Sequence, residues 1–94
     1  MSDRVEREVE VVNPAGMHAR PAAEFVKLAG EYQAQVTVAK DGLAVNGKSI
    51  MGVLMLAAER GSRLQIAAEG EDATAAVEAL EGLVSRGFDE AGQT

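Results

Sequence analysis

Cysteine and tryptophan are both absent from this 94-residue sequence, and the only aromatic side chains are Phe25, Tyr32 and Phe88. A chain without cysteine has no disulfide framework, no thiolate zinc site and no cysteine nucleophile. We therefore expect a reducing compartment, the cytoplasm. So few aromatic rings leave little scope for stacking on nucleic-acid bases, and they require a mostly aliphatic core.

Long apolar runs are also lacking, and the first ten residues, MSDRVEREVE, are charged where a signal peptide needs an apolar segment. We expect neither export nor membrane insertion. Basic residues are outnumbered, 9 Lys and Arg against 15 Asp and Glu, which gives a net charge of −6. Because nucleic-acid binding rests on a basic surface, no nucleic-acid partner is expected. A small anion site near Arg20 and Lys27 is still compatible with this charge.

The residue pattern predicts one domain over 1–94, in which 89–94 form a frayed tail. Alternation of apolar and polar residues predicts strands at 4–12, 35–40, 43–46 and 63–69. Apolar residues at helical spacing predict helices at 19–31, 49–56 and 72–86, the last of them capped by Gly87.

The half-polar strands and the hairpin signal Asp41-Gly42 favour an antiparallel sheet with helices on one face, an α+β two-layer domain. Two architectures accept this element order. One is the ferredoxin-like plait, and the other is a four-stranded open-faced sandwich with a different strand order. Periodicity alone does not separate them.

The segment GLAVNGKS, 42–49, matches the phosphate-loop pattern G-x-x-x-x-G-K-[ST] letter by letter. A true phosphate loop follows a buried strand and begins a long helix of a parallel sheet. Here the middle letters predict a strand, a hairpin turn precedes them, and the helix that follows is short. We interpret the segment as a hairpin strand followed by a helix start.

The segment GMHARPAAEF contains the only histidine of the chain. Gly16 permits a sharp turn, which places His18 at or beside a helix N-cap and Ala19 and Arg20 in the first turn. Backbone N–H groups without helical partners, the positive end of the helix dipole and the guanidinium of Arg20 together form an anion site. Pro21 sacrifices no helical hydrogen bond there. The dipole disfavours an imidazolium but suits a ring that becomes negative on accepting phosphate, which indicates a phosphoryl carrier.

Two other roles of His18 fit the sequence less well. Metal binding needs further ligands, and the chain has neither a second histidine nor a cysteine, so no metal and no cofactor are expected. A hydrolase triad needs a nucleophile, and the serines at 2, 49, 62 and 85 lie in no nucleophile-elbow motif.

The segment GMHARPAAEFV resembles the active-centre segment of the HPr family, the histidine-containing phosphocarriers of the bacterial phosphoenolpyruvate:sugar phosphotransferase system. NGKSIMGVLMLAA resembles the regulatory serine segment of the same family, and the likeness extends from about Arg4 to the end of the third helix. The resemblance implies an open-faced β-sandwich, with a four-stranded antiparallel sheet in the order 1-4-2-3 and three helices on one face.

The resemblance also implies roles for individual residues. His18 would carry phosphate on Nδ1, Arg20 would assist transfer, and Ala19 and Arg20 would bind the phosphate. Ser49 would be phosphorylated by an ATP-dependent kinase, although the residue pattern predicts a helix N-cap equally well. We further expect an apolar, partly basic docking patch made of Met17, Lys27, Ile50, Met51 and Leu54.

As a member of that family, the protein would be a monomeric, cytoplasmic transfer intermediate rather than a stand-alone enzyme. It would accept a phosphoryl group from enzyme I and pass it to enzyme IIA domains in sugar uptake, with HPr kinase/phosphorylase as a further partner. One alternative is a carrier of the nitrogen branch of the phosphotransferase system. Another, from a different class, is a plait-type ligand-binding module with an incidental histidine, which would transfer no phosphate.

Overall fold

A computed structural model describes residues 3–89 of the chain. The seven predicted elements occur in the predicted order, and a short left-handed turn at Gly87–Asp89 follows them. The predicted frayed tail, 89–94, lies outside the described residues except for Asp89. The elements are β1 (Arg4–Glu10), α1 (Ala19–Ala29), β2 (Gln35–Lys40), β3 (Leu43–Asn46), α2 (Ile50–Met55), β4 (Arg63–Glu69) and α3 (Ala73–Ser85).

The four strands form one antiparallel sheet in the order β1-β4-β2-β3. β1 is therefore an edge strand, whereas in a ferredoxin-like plait the first strand lies inside the sheet. The prediction of an open-faced sandwich is confirmed, and the alternative of a ferredoxin-like plait is wrong. The register places Val9 opposite Leu64, and Ile66 opposite Val38. These four side chains are buried on the face that the helices cover.

The core lies between this face of the sheet and the helices. Phe25 of α1 and Leu80 of α3 are completely buried, as is Val53 of the short helix α2. Burial of one such side chain contributes about 1.5–3 kcal/mol to folding. The opposite face of the sheet is uncovered, and charged residues such as Glu8 and Arg63 pair there at 3.6 Å. Between residues 3 and 89, no helix combines the length and hydropathy needed to cross a membrane.

The β2–β3 hairpin turns at Asp41 and Gly42, whose φ angles are 50° and 86°. Two successive positive φ values are typical of the tight hairpin turns that Asp-Gly favours. Because β3 occupies Leu43–Asn46, the backbone of GLAVNGKS is extended and pairs with β2 instead of wrapping around a phosphate. The interpretation as a hairpin strand is confirmed.

Asp72, the N-cap of α3, fixes the start of β2. Its carboxylate accepts hydrogen bonds from the N–H groups of Gln33 and Ala34, both at 2.8 Å. The N–H of Gln33, with smaller contributions from Ala34 and the Lys48 ammonium, holds the pKa of Asp72 below its usual range despite some desolvation. This contact links the turn after α1 to the beginning of α3.

Candidate functional site

The turn before His18 depends on Gly16, which has a φ of 71°. Its N–H donates to the carbonyl oxygen of Asn13 at 3.0 Å and closes the turn. A Cβ added at Gly16 would lie 2.7 Å from the carbonyl oxygen of Ala58 and 2.9 Å from the Cα of Glu59. Glycine is therefore needed here both for the left-handed backbone and for the close approach of the loop that follows α2.

Met17 lies between this turn and His18, and its N–H donates to the carbonyl oxygen of Ala58 at 2.8 Å. Its side chain is only 4% exposed and belongs to the hydrophobic core. The expectation that Met17 contributes to an exposed docking patch is therefore wrong, because this backbone bond holds the residue against the α2 loop and its side chain packs inward.

His18 is the N-cap residue of α1, with an extended backbone conformation, and the residue is exposed. Its carbonyl oxygen accepts the N–H of Ala22 at 3.0 Å, which is the first hydrogen bond of the helix. Pro21 has no N–H, so the donors that the first turn presents are those of Ala19 and Arg20, both exposed. No carboxylate lies in this first turn. The arrangement is suited to an anion beside His18.

Ser49 is the N-cap residue of α2, and its Oγ accepts the N–H of Gly52 at 3.1 Å. The expected capping role is therefore confirmed. A Cβ at Gly52 would lie 3.3 Å from the Cβ of Val45 and 3.4 Å from the Ser49 Oγ, so the glycine lets the helix start sit close to β3. Ser49 is half-buried.

The exposed face of α2 is rich in methionine. Met51 is 69% exposed, Ile50 is 40% exposed, and Leu54 is half-buried against the core. Met55, which sequence reasoning missed, is 67% exposed. Its position four residues after Met51 was the available signal, because residues at that spacing share one face of a helix.

The backbone ties the His18 turn to the carboxyl end of α2, since Met17 bonds to Ala58 just beyond that helix. Ser49 lies at the other end of the same helix. Because α2 has six residues, its two ends are about 9 Å apart along the axis. Lys40 closes the carboxyl end by donating from Nζ to the carbonyl oxygens of Leu56 (3.0 Å) and Ala57 (3.2 Å).

α1 and α2 also contact each other directly. Lys27 lies exposed in the last turn of α1, at the opposite end of that helix from His18. In the described part of the chain, no cluster of three acidic, histidine or cysteine side chains is placed to hold a metal ion. The structure brings the exposed start of α1 close to the methionine-rich helix α2.

Comparison with known proteins identifies the family of the chain. The family model described as "PTS HPr component phosphorylation site" matches residues 5–86. The phosphocarrier protein HPr of Treponema pallidum is 44% identical over 86 residues, which cover 92% of this chain and 98% of that protein. The phosphocarrier protein HPr of Pseudomonas aeruginosa is 46% identical over 84 residues, 88% of this chain and 93% of that protein.

Solved structures of HPr proteins share the fold. The Bacillus anthracis protein superposes with a TM-score of 0.84 at 45% identity and covers 87% of this chain and 98% of its own. HPr-C-His from Thermoanaerobacter tengcongensis gives a TM-score of 0.88 at 42% identity, and the match covers 92% of this chain and 97% of that protein. Sequence and fold thus agree over nearly the whole length, and the chain belongs to the HPr family of phosphocarriers of the phosphotransferase system.

Proposed function

We propose that this chain accepts a phosphoryl group on His18 from phosphorylated enzyme I and passes it to enzyme IIA-type domains in sugar uptake. The observation that carries the proposal is the placement of the single histidine. It is exposed at the N-cap of α1, next to the N–H donors of Ala19 and Arg20 and with no carboxylate in the first turn.

The chemistry follows from this placement. A ring nitrogen of neutral His18 attacks phosphorus with its lone pair, and the bond from phosphorus to the donor breaks as the new P–N bond forms. Negative charge spreads over the phosphoryl oxygens during transfer. The helix start holds the N–H groups of Ala19 and Arg20 in place for that charge, and the Arg20 guanidinium adds a charged donor from the same turn. The reverse sequence of steps delivers the phosphoryl group to the next acceptor.

Arg20 provides the first test. Arg20→Ala is expected to slow phosphoryl acceptance by about 10- to 100-fold, and Arg20→Lys should recover only part of the loss, because lysine keeps the charge but lacks the planar fork. The rate is measured by rapid-quench transfer of labelled phosphate from enzyme I. Arg4→Ala, on the uncovered sheet face, is the control and should transfer normally. Wild-type rates in Arg20→Ala would show that the guanidinium is dispensable.

We propose that the docking surface consists of Ile50, Met51, Met55 and the exposed part of Leu54, with Lys27 as its basic component. Methionine suits a surface that must fit several partners because its side chain is flexible and polarizable. The Met51 and Met55 side chains lie mostly in solvent, so they contribute little to the core.

Met51→Asp is therefore expected to weaken binding to enzyme I by about tenfold, since a charge in the centre of an apolar contact must be desolvated. The melting temperature should hardly change. Affinity is measured by calorimetry and stability by thermal denaturation. Leu43→Asp, at an exposed residue of the β2–β3 hairpin, is the matched control and should bind normally. Equal losses of binding in both variants would contradict the assignment.

Ser49 is proposed as a regulatory phosphorylation site for an ATP-dependent HPr kinase/phosphorylase. A phosphate at the start of α2 is compatible with the fold because a dianion is favoured near helical N–H groups. The same charge would lie beside the docking surface and would repel acidic groups of a partner that binds a partly basic patch.

Two substitutions separate capping from regulation. Ser49→Asp keeps a good N-cap, so the melting temperature should hold or rise slightly while His18 phosphorylation slows about tenfold. Ser49→Ala loses the cap, at a cost of about 1 kcal/mol, but should be phosphorylated at the normal rate. Thermal denaturation and transfer rates are measured on both. Normal transfer in Ser49→Asp would leave Ser49 as a cap only.

The proposed setting is a cytoplasmic monomer. Service in the nitrogen branch instead of the sugar branch would use the same site. Transfer assays with purified enzyme I of each branch distinguish these two functions, because only the cognate enzyme should phosphorylate His18 efficiently.

A further inference from the structure

We infer that Asn13 is a positioning residue for phosphoryl transfer: its buried amide locks the turn that sets His18 and the first-turn donors of α1. The inference rests on the proposed role of His18. Asn13 lies five residues before the histidine and is 1% exposed. Within residues 3–89 it is the only polar or charged residue that is buried.

Asn13 holds both backbone groups of Gly16. Its Nδ2 donates to the Gly16 carbonyl oxygen at 2.8 Å, and its own carbonyl oxygen accepts the Gly16 N–H at 3.0 Å. Burying a side-chain amide in a core costs free energy of folding unless the amide is hydrogen-bonded. Because Gly16 is itself buried, the Asn13 side chain gives its carbonyl oxygen a partner within the protein.

The turn is fixed at both ends by one neighbouring loop. Before it, the N–H of Val11 donates to the carbonyl oxygen of Ser62 at 2.9 Å, and the carbonyl oxygen of Val11 accepts the N–H of Gly61 at 2.7 Å. After it, Met17 donates to Ala58 at 2.8 Å. Between these anchors, the side-chain bond of Asn13 fixes the orientation of the Gly16–Met17 peptide, which leads directly into His18.

The left-handed turn at the end of α3 closes the remaining side. Gly87 has a φ of 67°, and a Cβ added there would lie 3.6 Å from the Cβ of Asn13 and 3.5 Å from a methyl carbon of Val12. Asn13 thus lies beside the end of α3 while it holds Gly16. A change in the Asn13 amide would pass to the His18 segment rather than be absorbed by solvent.

Loss of the amide donor should therefore alter the chemical step and not docking. Phosphoryl transfer requires the nucleophile and the anion donors within a fraction of an ångström of their productive positions. The docking surface on α2 does not include this turn. A positioning role predicts a lower kcat of enzyme I with an unchanged KM for the Asn13 variant as substrate. A general loss of stability, measured well below the melting temperature, predicts no change in either constant.

The test compares Asn13→Asp, which keeps the shape but removes the donor, and Asn13→Ala with Val77→Ala. Val77 is buried in the first half of α3, so its truncation lowers stability away from the turn. Steady-state transfer from enzyme I and the amide NMR signals of 16–20 are recorded well below each melting temperature. We expect kcat to fall about 10- to 100-fold in both Asn13 variants with KM within about twofold, and those amide signals to shift. Val77→Ala should change neither.

The inference is overturned if an Asn13 variant that folds transfers with the kcat of Val77→Ala, or if KM rises while kcat is kept. If Asn13→Ala fails to fold, Asn13→Asp decides between these results. If Asn13→Asp also fails to fold, Asn13→Ser, which keeps a short donor, takes its place. Failure of the proposed function is a separate result, because wild-type protein would then carry no label on His18 at all.

Discussion

Replacing His18 with alanine is expected to reduce phosphoryl acceptance from enzyme I by more than roughly a thousandfold, to the background of the assay. The chain has no second histidine and no cysteine, so no other side chain of comparable nucleophilicity is present. His18 is exposed, and its backbone carbonyl provides the first hydrogen bond of α1 whatever the side chain. The fold should therefore survive the substitution.

Labelled phosphoenolpyruvate with purified enzyme I provides the measurement. A phosphoramidate is labile to acid and stable to base, so the label on wild-type protein should disappear on acidification. His18→Asn is the matched control for helix capping: asparagine is a good N-cap, yet it forms no phosphoramidate. Its melting temperature should equal or exceed that of wild type, and it should stay unlabelled. Acid-labile label retained on both His18→Ala and His18→Asn would contradict the assignment of His18 as the phosphorylated residue.

Gly16→Ala is expected to destabilise the fold strongly. The left-handed backbone costs a residue with a Cβ about 1–2 kcal/mol. The added carbon would also meet the Ala58 carbonyl oxygen at 2.7 Å, and forcing the loops apart costs a further 1–3 kcal/mol or so. The sum, about 3 kcal/mol, corresponds to a fall in melting temperature of about 15 °C for a domain of this size.

Gly42→Ala separates the two causes. Gly42 also has a positive φ, 86°, but nothing lies within 4 Å of its added Cβ. Its substitution should therefore cost only the backbone part, about 1–2 kcal/mol. Chemical denaturation of both variants gives the difference. Equal losses of stability would mean that the contact with the α2 loop contributes nothing, and that the turn before His18 is held by other bonds.

Local pattern was enough to predict most of the secondary structure. β2, β3 and β4 occur at the predicted residues, because alternation and the Asp-Gly turn are both local signals. β1 was predicted to continue to Val12 but ends at Glu10, opposite Arg63, where β4 begins. The end of a strand depends on its partner, and the partner lies far away in the sequence.

Strand order and side-chain burial depend on contacts between distant segments, which periodicity does not contain. The order β1-β4-β2-β3 came only from the resemblance to HPr proteins. Met17 appeared to be a surface residue because its burial follows from a bond to Ala58. An Asn-Pro pair is a local turn signal and does not predict burial, whereas Asn13 is 1% exposed and lies near Gly87, which is distant in the sequence.

The central claim is that His18 carries the phosphoryl group. Uniformly ¹⁵N-labelled wild-type protein, phosphorylated by enzyme I and phosphoenolpyruvate, is examined by ³¹P and long-range ¹H–¹⁵N NMR under alkaline conditions. We predict one phosphoramidate signal, coupled to Nδ1 of the single imidazole, that disappears on acidification. A phosphorylated protein whose imidazole signals are unchanged, with its phosphate on another residue, would contradict the account.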